Sequence, residues 1–205
     1  MLLNDLPPAL LAGLPPGLDE RLQAYAELLR DYSRTLGLVS DAFLNRLDDH
    51  LLDALAYLGP MDHEPNLTTV LDLGSGAGLP GIPLAMARPD WTFTLVEARA
   101  RRAAFLETVS ARLKLRNVKI VRNDVRQVKV PAQVIVAQSI GALERVRTLT
   151  AQLKPRLLVA RKGADELDDE RDQLPDGWTV TAYPLRRDDL DPYAVILAAR
   201  PSAEA

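Results

Sequence analysis

Cysteine is absent from all 205 residues of this chain. Its absence excludes disulfides, thiolate metal sites and any chemistry that needs a cysteine nucleophile, and it agrees with a reducing compartment. Long apolar runs are missing too. None approaches the ~20 residues that span a bilayer, and Met1-Leu2-Leu3-Asn4-Asp5 lacks the basic start of a secretion signal, so a cytoplasmic protein is expected. Nor is there an excess of positive charge. With 25 Lys+Arg against 28 Asp+Glu the formal net charge is −3, so the chain as a whole does not attract nucleic acid, and any RNA contact needs a local basic patch. No metal is expected. What is present, 47% hydrophobic and 26% charged residues, is the composition of a globular domain able to bury a core.

The chain divides into two regions. Leu6 to Pro16 is proline-rich and reads as irregular. From Leu18 the apolar positions Leu18, Leu22, Tyr25, Leu29 and Leu36 recur at helical spacing, which predicts one amphipathic helix ending near Gly37. Ser40 is a natural N-cap for a second helix over about Asp41 to Leu58. Phe43, Leu44, Leu47, Leu51, Leu55 and Leu58 form its apolar face, and Gly59-Pro60 is its expected stop. Met61 to Thr68 reads as a linker. Beyond it, strand-length apolar runs at Thr69 to Leu73, Thr92 to Val96, Val118 to Val121, Val134 to Ala137 and Leu157 to Arg161 alternate with helical stretches. Those helices fall near Ile82 to Ala87, Arg99 to Leu115, Ala142 to Leu153 and Asp165 to Leu174.

Strands that are apolar throughout are buried on both faces, which predicts a parallel sheet in a doubly wound α/β domain. Trp178 to Tyr183 and Tyr193 to Ala199 are joined only by Pro184 to Pro192, too short for a helical crossover, so they should pair antiparallel. A Rossmann-like, mostly parallel sheet with an antiparallel C-terminal hairpin is the plan of class I S-adenosylmethionine (SAM)-dependent methyltransferases. The expected organisation is therefore an N-terminal helical segment over residues 1–65, a SAM-binding domain over 66–200 and a tail over 201–205.

The densest signal is Thr69-Val70-Leu71-Asp72-Leu73-Gly74-Ser75-Gly76-Ala77-Gly78-Leu79-Pro80-Gly81-Ile82-Pro83, an apolar strand that breaks into alternating glycines and then starts a helix. Glycines at 74, 76 and 78 permit positive φ and let a ligand lie against bare backbone N–H groups. Asp72 before the first glycine repels a pyrophosphate and suits a cationic or hydroxyl-bearing ligand, which points to SAM. Glu97, at the carboxyl end of the second strand and 21 residues past Gly76, is a candidate for both ribose hydroxyls, and Asp124 for an adenine amine. Gly76-Ala77-Gly78-Leu79-Pro80-Gly81 also fits G-x-G-x-x-G, so a nicotinamide-dependent oxidoreductase stays open as an alternative.

These residues resemble the glucose-inhibited division protein B (RsmG) family, whose members methylate N7 of a guanine in 16S ribosomal RNA. The match is carried by Val70 to Ala85 with its Leu-Pro-Gly-Ile-Pro tail, by Thr94-Leu95-Val96-Glu97 with Arg101-Arg102 and Phe105-Leu106, by His50-Leu51-Leu52-Asp53, and by Lys162-Gly163. The resemblance implies SAM as cofactor and 16S rRNA or the small subunit as partner, with no membrane and a monomer. It implies that Gly74, Gly76, Gly78 and Leu79 line the SAM site, and with them Asp72, Glu97, Asp124, Val125, Arg126 and Gln138 complete the expected cofactor contacts. RNA contacts are implied at His50, Arg101, Arg102 and Lys162, with Lys162 and Gln138 as catalytic candidates.

The departures from the family pattern lie on the substrate side. Asp49 stands where the family has Arg before the histidine, and Gly37-Leu38-Val39 where it has Asn-Leu-Thr. Asp124-Val125-Arg126 reverses Arg-x-Glu, Gln138 replaces an Arg, and Pro192-Tyr193 replaces Arg-His. A relative that binds SAM without turnover, or acts on another substrate, is the second alternative. Guanine N7 has a free lone pair and no proton, so alignment in a water-excluding pocket suffices and no general base is required.

Overall fold

A computed structural model describes residues 3, 6, 8–138, 140–185 and 194–202. Helices α1 (Pro8–Leu11), α2 (Leu18–Leu36), α3 (Asp41–Leu44), α4 (Leu47–Ala56) and α5 (Leu58–Asp62) precede the sheet. The α/β part runs β1 (Thr69–Leu73), α6 (Gly81–Ala87), β2 (Thr92–Val96), α7 (Ala100–Arg112), β3 (Val118–Val121), β4 (Val134–Gln138), α8 (Leu143–Thr150), β5 (Leu157–Gly163), α9 (Leu167–Asp172), β6 (Trp178–Leu185) and β7 (Ala194–Pro201).

The seven strands are ordered β3-β2-β1-β4-β5-β7-β6. The first five are parallel, whereas β7 lies antiparallel between β5 and β6. The expected fold class and terminal hairpin are thus present, with β7 inserted beside β5. The connection over 186–193, Pro192-Tyr193 within it, Ser139 and residues 203–205 of the expected tail lie outside the described residues.

Strand period explains how one sheet carries two cores. Val70 of β1, Phe93 and Leu95 of β2, Val134 and Val136 of β4 and Val159 of β5 face a cluster shared with Leu22, Leu29, Leu51, Leu55 and Leu106. Their neighbours Leu71, Leu73, Ile135, Ala137, Leu158 and Ala160 face the other side, against Leu143 and Val146 of α8. Central strands are therefore buried on both faces, while the edge strand β6 alternates in exposure. The N-terminal helices share their core with the sheet. Two buried tyrosines fasten them: Tyr25 Oη of α2 donates to Ala77 O at 2.8 Å, and Tyr57 Oη donates to Ala137 O and accepts from Arg161 N, both at 3.0 Å. Removing that second hydroxyl in Tyr57→Phe strands a buried carbonyl and amide, and is expected to cost about 1–3 kcal/mol in chemical denaturation.

Three local expectations need correction. The helix expected over Asp41 to Leu58 is three pieces, although Ser40 does cap its start by accepting from Phe43 N. Arg46, at φ −119° and ψ 24°, breaks it. A straight helix of that length would run about 27 Å, and the break turns α4 so that Leu47, Leu51 and Leu55 are all buried against the sheet. Gly59-Pro60 does not stop the chain: Pro60 is the third residue of α5, within the first turn, where no intrahelical partner is needed for its missing N–H. The linker consequently begins after Asp62. Within Leu6 to Pro16, Pro8 starts the short helix α1.

Candidate functional site

The sheet order reverses between β1 and β4, since β1 leads on to β2 at one side and β4 to β5 at the other. Open α/β sheets bind ligands in the crevice at the carboxyl ends of the strands at such a point, and there the chain leaves β1 through Gly74, Gly76 and Gly78. All three have positive φ (66°, 58° and 107°). A Cβ on Gly74 would lie 2.5 Å from Ile140 Cδ1, and one on Gly78 would lie 2.7 Å from Ile82 Cγ1, so close packing as well as positive φ requires glycine at both positions. Leu79 is buried in the core beneath it.

Glu97 is 5% exposed and holds the loop from the next strand. Its Oε2 accepts from Gly76 N at 3.0 Å and its Oε1 from Arg99 N at 2.7 Å. Each carboxylate oxygen keeps a second acceptor position, so two ribose hydroxyls and the two amides are compatible. Asp72 is 1% exposed. Its Oδ2 accepts from Gly81 N at 3.1 Å and its Oδ1 has no hydrogen-bond partner. Burial pushes its pKa up to about 7, offset in part by the Ser75 hydroxyl and the Gly81 amide, while the charge of Glu97 adds to the rise. Glycines that a Cβ would obstruct, beside a buried carboxylate oxygen with no partner, fit a ligand that brings a hydrogen-bond donor or positive charge.

The remaining sequence candidates each have a defined local setting. Asp124 caps the turn it begins and is gripped by Arg126, whose Nε and Nη2 donate to it at 2.9 and 2.6 Å. That holds the Asp124 carboxyl well below the usual range. Val125 lies in the same turn. Gln138 ends β4 and pairs in register with Arg161 of β5. Arg101 is exposed, and Arg102 donates to Leu38 O at 3.3 Å, tying α7 to the segment after α2.

His50 stacks on Phe43 with ring centroids 3.9 Å apart, and its Nδ1 is buried without a partner. Burial pushes its pKa down, and Arg161 and Arg46 lower it further against the opposing pull of Asp53 and Asp49. Asp53 accepts from Arg161 Nε at 2.8 Å. Lys162 is only 9% exposed, and its ammonium meets Glu170 Oε1 and Gly141 O, each at 2.5 Å. It is internally paired and is not an open cation for RNA.

Sequence reasoning missed Tyr25, Tyr57, Gly81, Arg161 and Glu170. Gly81 did carry a signal, as the last glycine of the loop motif. Tyr25 sits in an apolar helical stripe and reads as plain core, and Tyr57, between α4 and α5, lies off the apolar face read for its helix. Glu170 belongs to an acidic run with nothing local to set it apart.

A glycine loop at the switch point of a sheet with this order is the arrangement of a class I SAM-dependent methyltransferase. The SAM-bound magnesium protoporphyrin IX methyltransferase of Synechocystis PCC 6803 shares the fold, with a TM-score of 0.58 at 17% identity over 87% of this chain and 97% of that one. More particularly, the chain belongs to the GidB family, rRNA small subunit methyltransferase G, whose model matches residues 18–183. A ribosomal RNA small subunit methyltransferase G of Nitrosomonas eutropha is 36% identical over 174 residues, covering 80% of this chain and 78% of that protein. The same-named protein of Acidothermus cellulolyticus is 41% identical over 145 residues, covering 68% and 63%.

Proposed function

We propose that this protein methylates N7 of a guanine in small-subunit (16S) ribosomal RNA with SAM as donor. The observation that carries the reading is the pairing of three left-handed glycines with the unpartnered Oδ1 of the buried Asp72 carboxylate, in a member of this family. Asp72, Gly74, Gly76, Gly78, Leu79 and Glu97 would hold SAM, with Asp124, Val125, Arg126 and Gln138 along its adenine side. When bound, SAM supplies a methyl group on a sulfonium centre. The protein's own part is to bind, orient and exclude water, because N7 presents a lone pair and needs no base. Gln138, at the end of β4, is the group we assign to the acceptor base. His50, its pKa pushed below the usual 6.5, would meet RNA as a neutral ring stacked on Phe43, and Arg101 and Arg102 would meet phosphate.

In this reading the N-terminal helical segment within residues 1–65 covers one face of the SAM-binding domain, which starts near residue 66 and whose last strand runs past the expected boundary at 200 to Pro201. The protein works as a monomer in the cytoplasm; among the described residues no helix is long and apolar enough to cross a membrane. Calorimetric titration with SAM and with NAD tests the cofactor, and saturable NAD binding without SAM binding would sink the reading. Mapping 7-methylguanine in 16S rRNA from cells with and without the gene tests the acceptor. Loss of one modified guanine is expected, and unchanged methylation would leave a SAM-binding protein without this activity.

A further inference from the structure

Lys162 and Glu170 form a buried ion pair outside the cofactor contacts, at 9% and 3% exposure, and methyl transfer to a lone pair makes no use of its charges. Of the acids in the run from Asp165 to Asp172, Glu170 is the one that is buried; the others are exposed. Its partners converge on a single short connection. Glu170 Oε2 accepts from Leu143 N at 2.6 Å, at the first residue of α8, where an unsatisfied amide and the helix dipole both favour a carboxylate. Lys162 Nζ, held by Glu170 Oε1, donates to Gly141 O two residues earlier. Between Gly141 and the end of β4 stands Ile140, whose Cδ1 occupies the space where a Cβ on Gly74 would be. Two charges thus grip the β4–α8 connection at Gly141 and Leu143, and its third point rests on the glycine loop.

The pair is buried, and Leu143, whose amide Glu170 holds, belongs to the apolar cluster between α8 and the sheet. A buried ion pair in such a place is often matched in stability by well-packed apolar side chains. Its directional bonds do what an apolar pair cannot: they fix one conformation of a connection that contains a positive-φ glycine, Gly141 at 113°. We propose that Glu170 is a positioning residue for methyl transfer, clamping the β4–α8 connection through Lys162 and the Leu143 amide so that Ile140 and Gln138 are held against the SAM loop at Gly74. This rests on the reading of that loop as the SAM site.

The test uses the full chain as wild type, Glu170→Ala, Glu170→Gln and the double variant Lys162→Met/Glu170→Leu, which leaves no buried charge unpaired. Amide hydrogen exchange without ligand is followed at 140–143 and 74–78, alongside melting temperature, SAM Kd, kcat and the KM for RNA. In Glu170→Ala, exchange in both segments is expected to rise at least tenfold while the amides of β1 and β4 keep their protection. SAM binds about tenfold more weakly and kcat falls with the KM for RNA little changed. Glu170→Gln, which keeps an acceptor for the Leu143 amide, recovers part of each effect. The double variant melts within a few degrees of wild type and shows the same loosened loop and weaker SAM binding, so it decides the matter if Glu170→Ala does not fold.

A double variant that folds with wild-type exchange at 74–78 and wild-type SAM affinity overturns the proposal, and so does exchange that rises evenly over the whole chain. Failure of the wild type to bind SAM would instead remove the functional reading. The exchange coupling between 140–143 and 74–78 is then read on its own and still decides the clamp.

Discussion

Gly78→Ala is expected to abolish measurable SAM binding and to cost the fold roughly 3 kcal/mol. Two independent effects add. The residue sits at φ 107°, a conformation L side chains rarely adopt, and its new Cβ would lie 2.7 Å from Ile82 Cγ1, 3.0 Å from Tyr25 Oη and 3.1 Å from Leu106 Cδ2. Those atoms belong to α6, α2 and α7, so no single rotamer change relieves the crowding. The loop must shift, and a shift breaks the bond from Tyr25 Oη to Ala77 O that ties the N-terminal helices to it. Gly37→Ala supplies the control. Its φ is also positive, at 61°, but a Cβ there meets nothing within 4 Å. That substitution is expected to cost about 1 kcal/mol and to leave SAM affinity unchanged. Denaturant titration and calorimetry on both variants read the result, and equal effects would show that backbone strain, not crowding at the loop, dominates.

The second large effect concerns pH. Asp72 is raised from 3.8 to about 7 in the folded protein. An acid whose folded pKa exceeds its unfolded value binds more protons folded than unfolded, so between pH 4 and 7 its contribution makes the SAM-free protein less stable as pH rises. Binding has the opposite sign, since Asp72 is proposed to accept a hydrogen bond or positive charge from the ligand in its ionised form. SAM affinity is therefore expected to rise roughly tenfold between pH 6 and 8, as the ionised fraction grows, with close to one proton released on binding at pH 6 and little release at pH 8. His50 is shifted the opposite way, down from 6.5 by burial, and the Asp72→Asn variant separates its contribution from that of Asp72. Asp72→Asn should flatten the pH dependence of both stability and affinity, and should bind SAM at least tenfold more weakly at pH 8. Titrations in buffers of different ionisation enthalpy count the proton. An unchanged pH slope in the variant would assign it to another group.

Both predictions start from residues that stand out in the chain, but their force comes from contacts that do not. The glycine spacing marks the loop, and Asp72 is conspicuous before it. That Tyr25, which bonds Ala77 across a separation of 52 residues, closes over Gly78 is visible only once α2 lies across the sheet. The second helix shows the same limit: apolar spacing from Phe43 to Leu58 reads as one helix, yet burial against the sheet favours a break at Arg46. Lys162 is the clearest case. At the carboxyl end of a strand beside a glycine it reads as a free cation facing a ligand, and nothing in the neighbouring sequence announces that Glu170 neutralises it.

What the sequence by itself determined is what local periodicity and backbone chemistry can encode. The alternation of strands and helices follows from apolar runs of strand length, the antiparallel ending from a connection too short to cross over, and the ligand loop from glycines that tolerate positive φ. What only the tertiary structure decided is which charges remain available. Desolvation and pairing depend on groups distant in the chain, so the state of Asp72, the double duty of Glu97 and the internal commitment of Lys162 appear only when the sheet faces are covered.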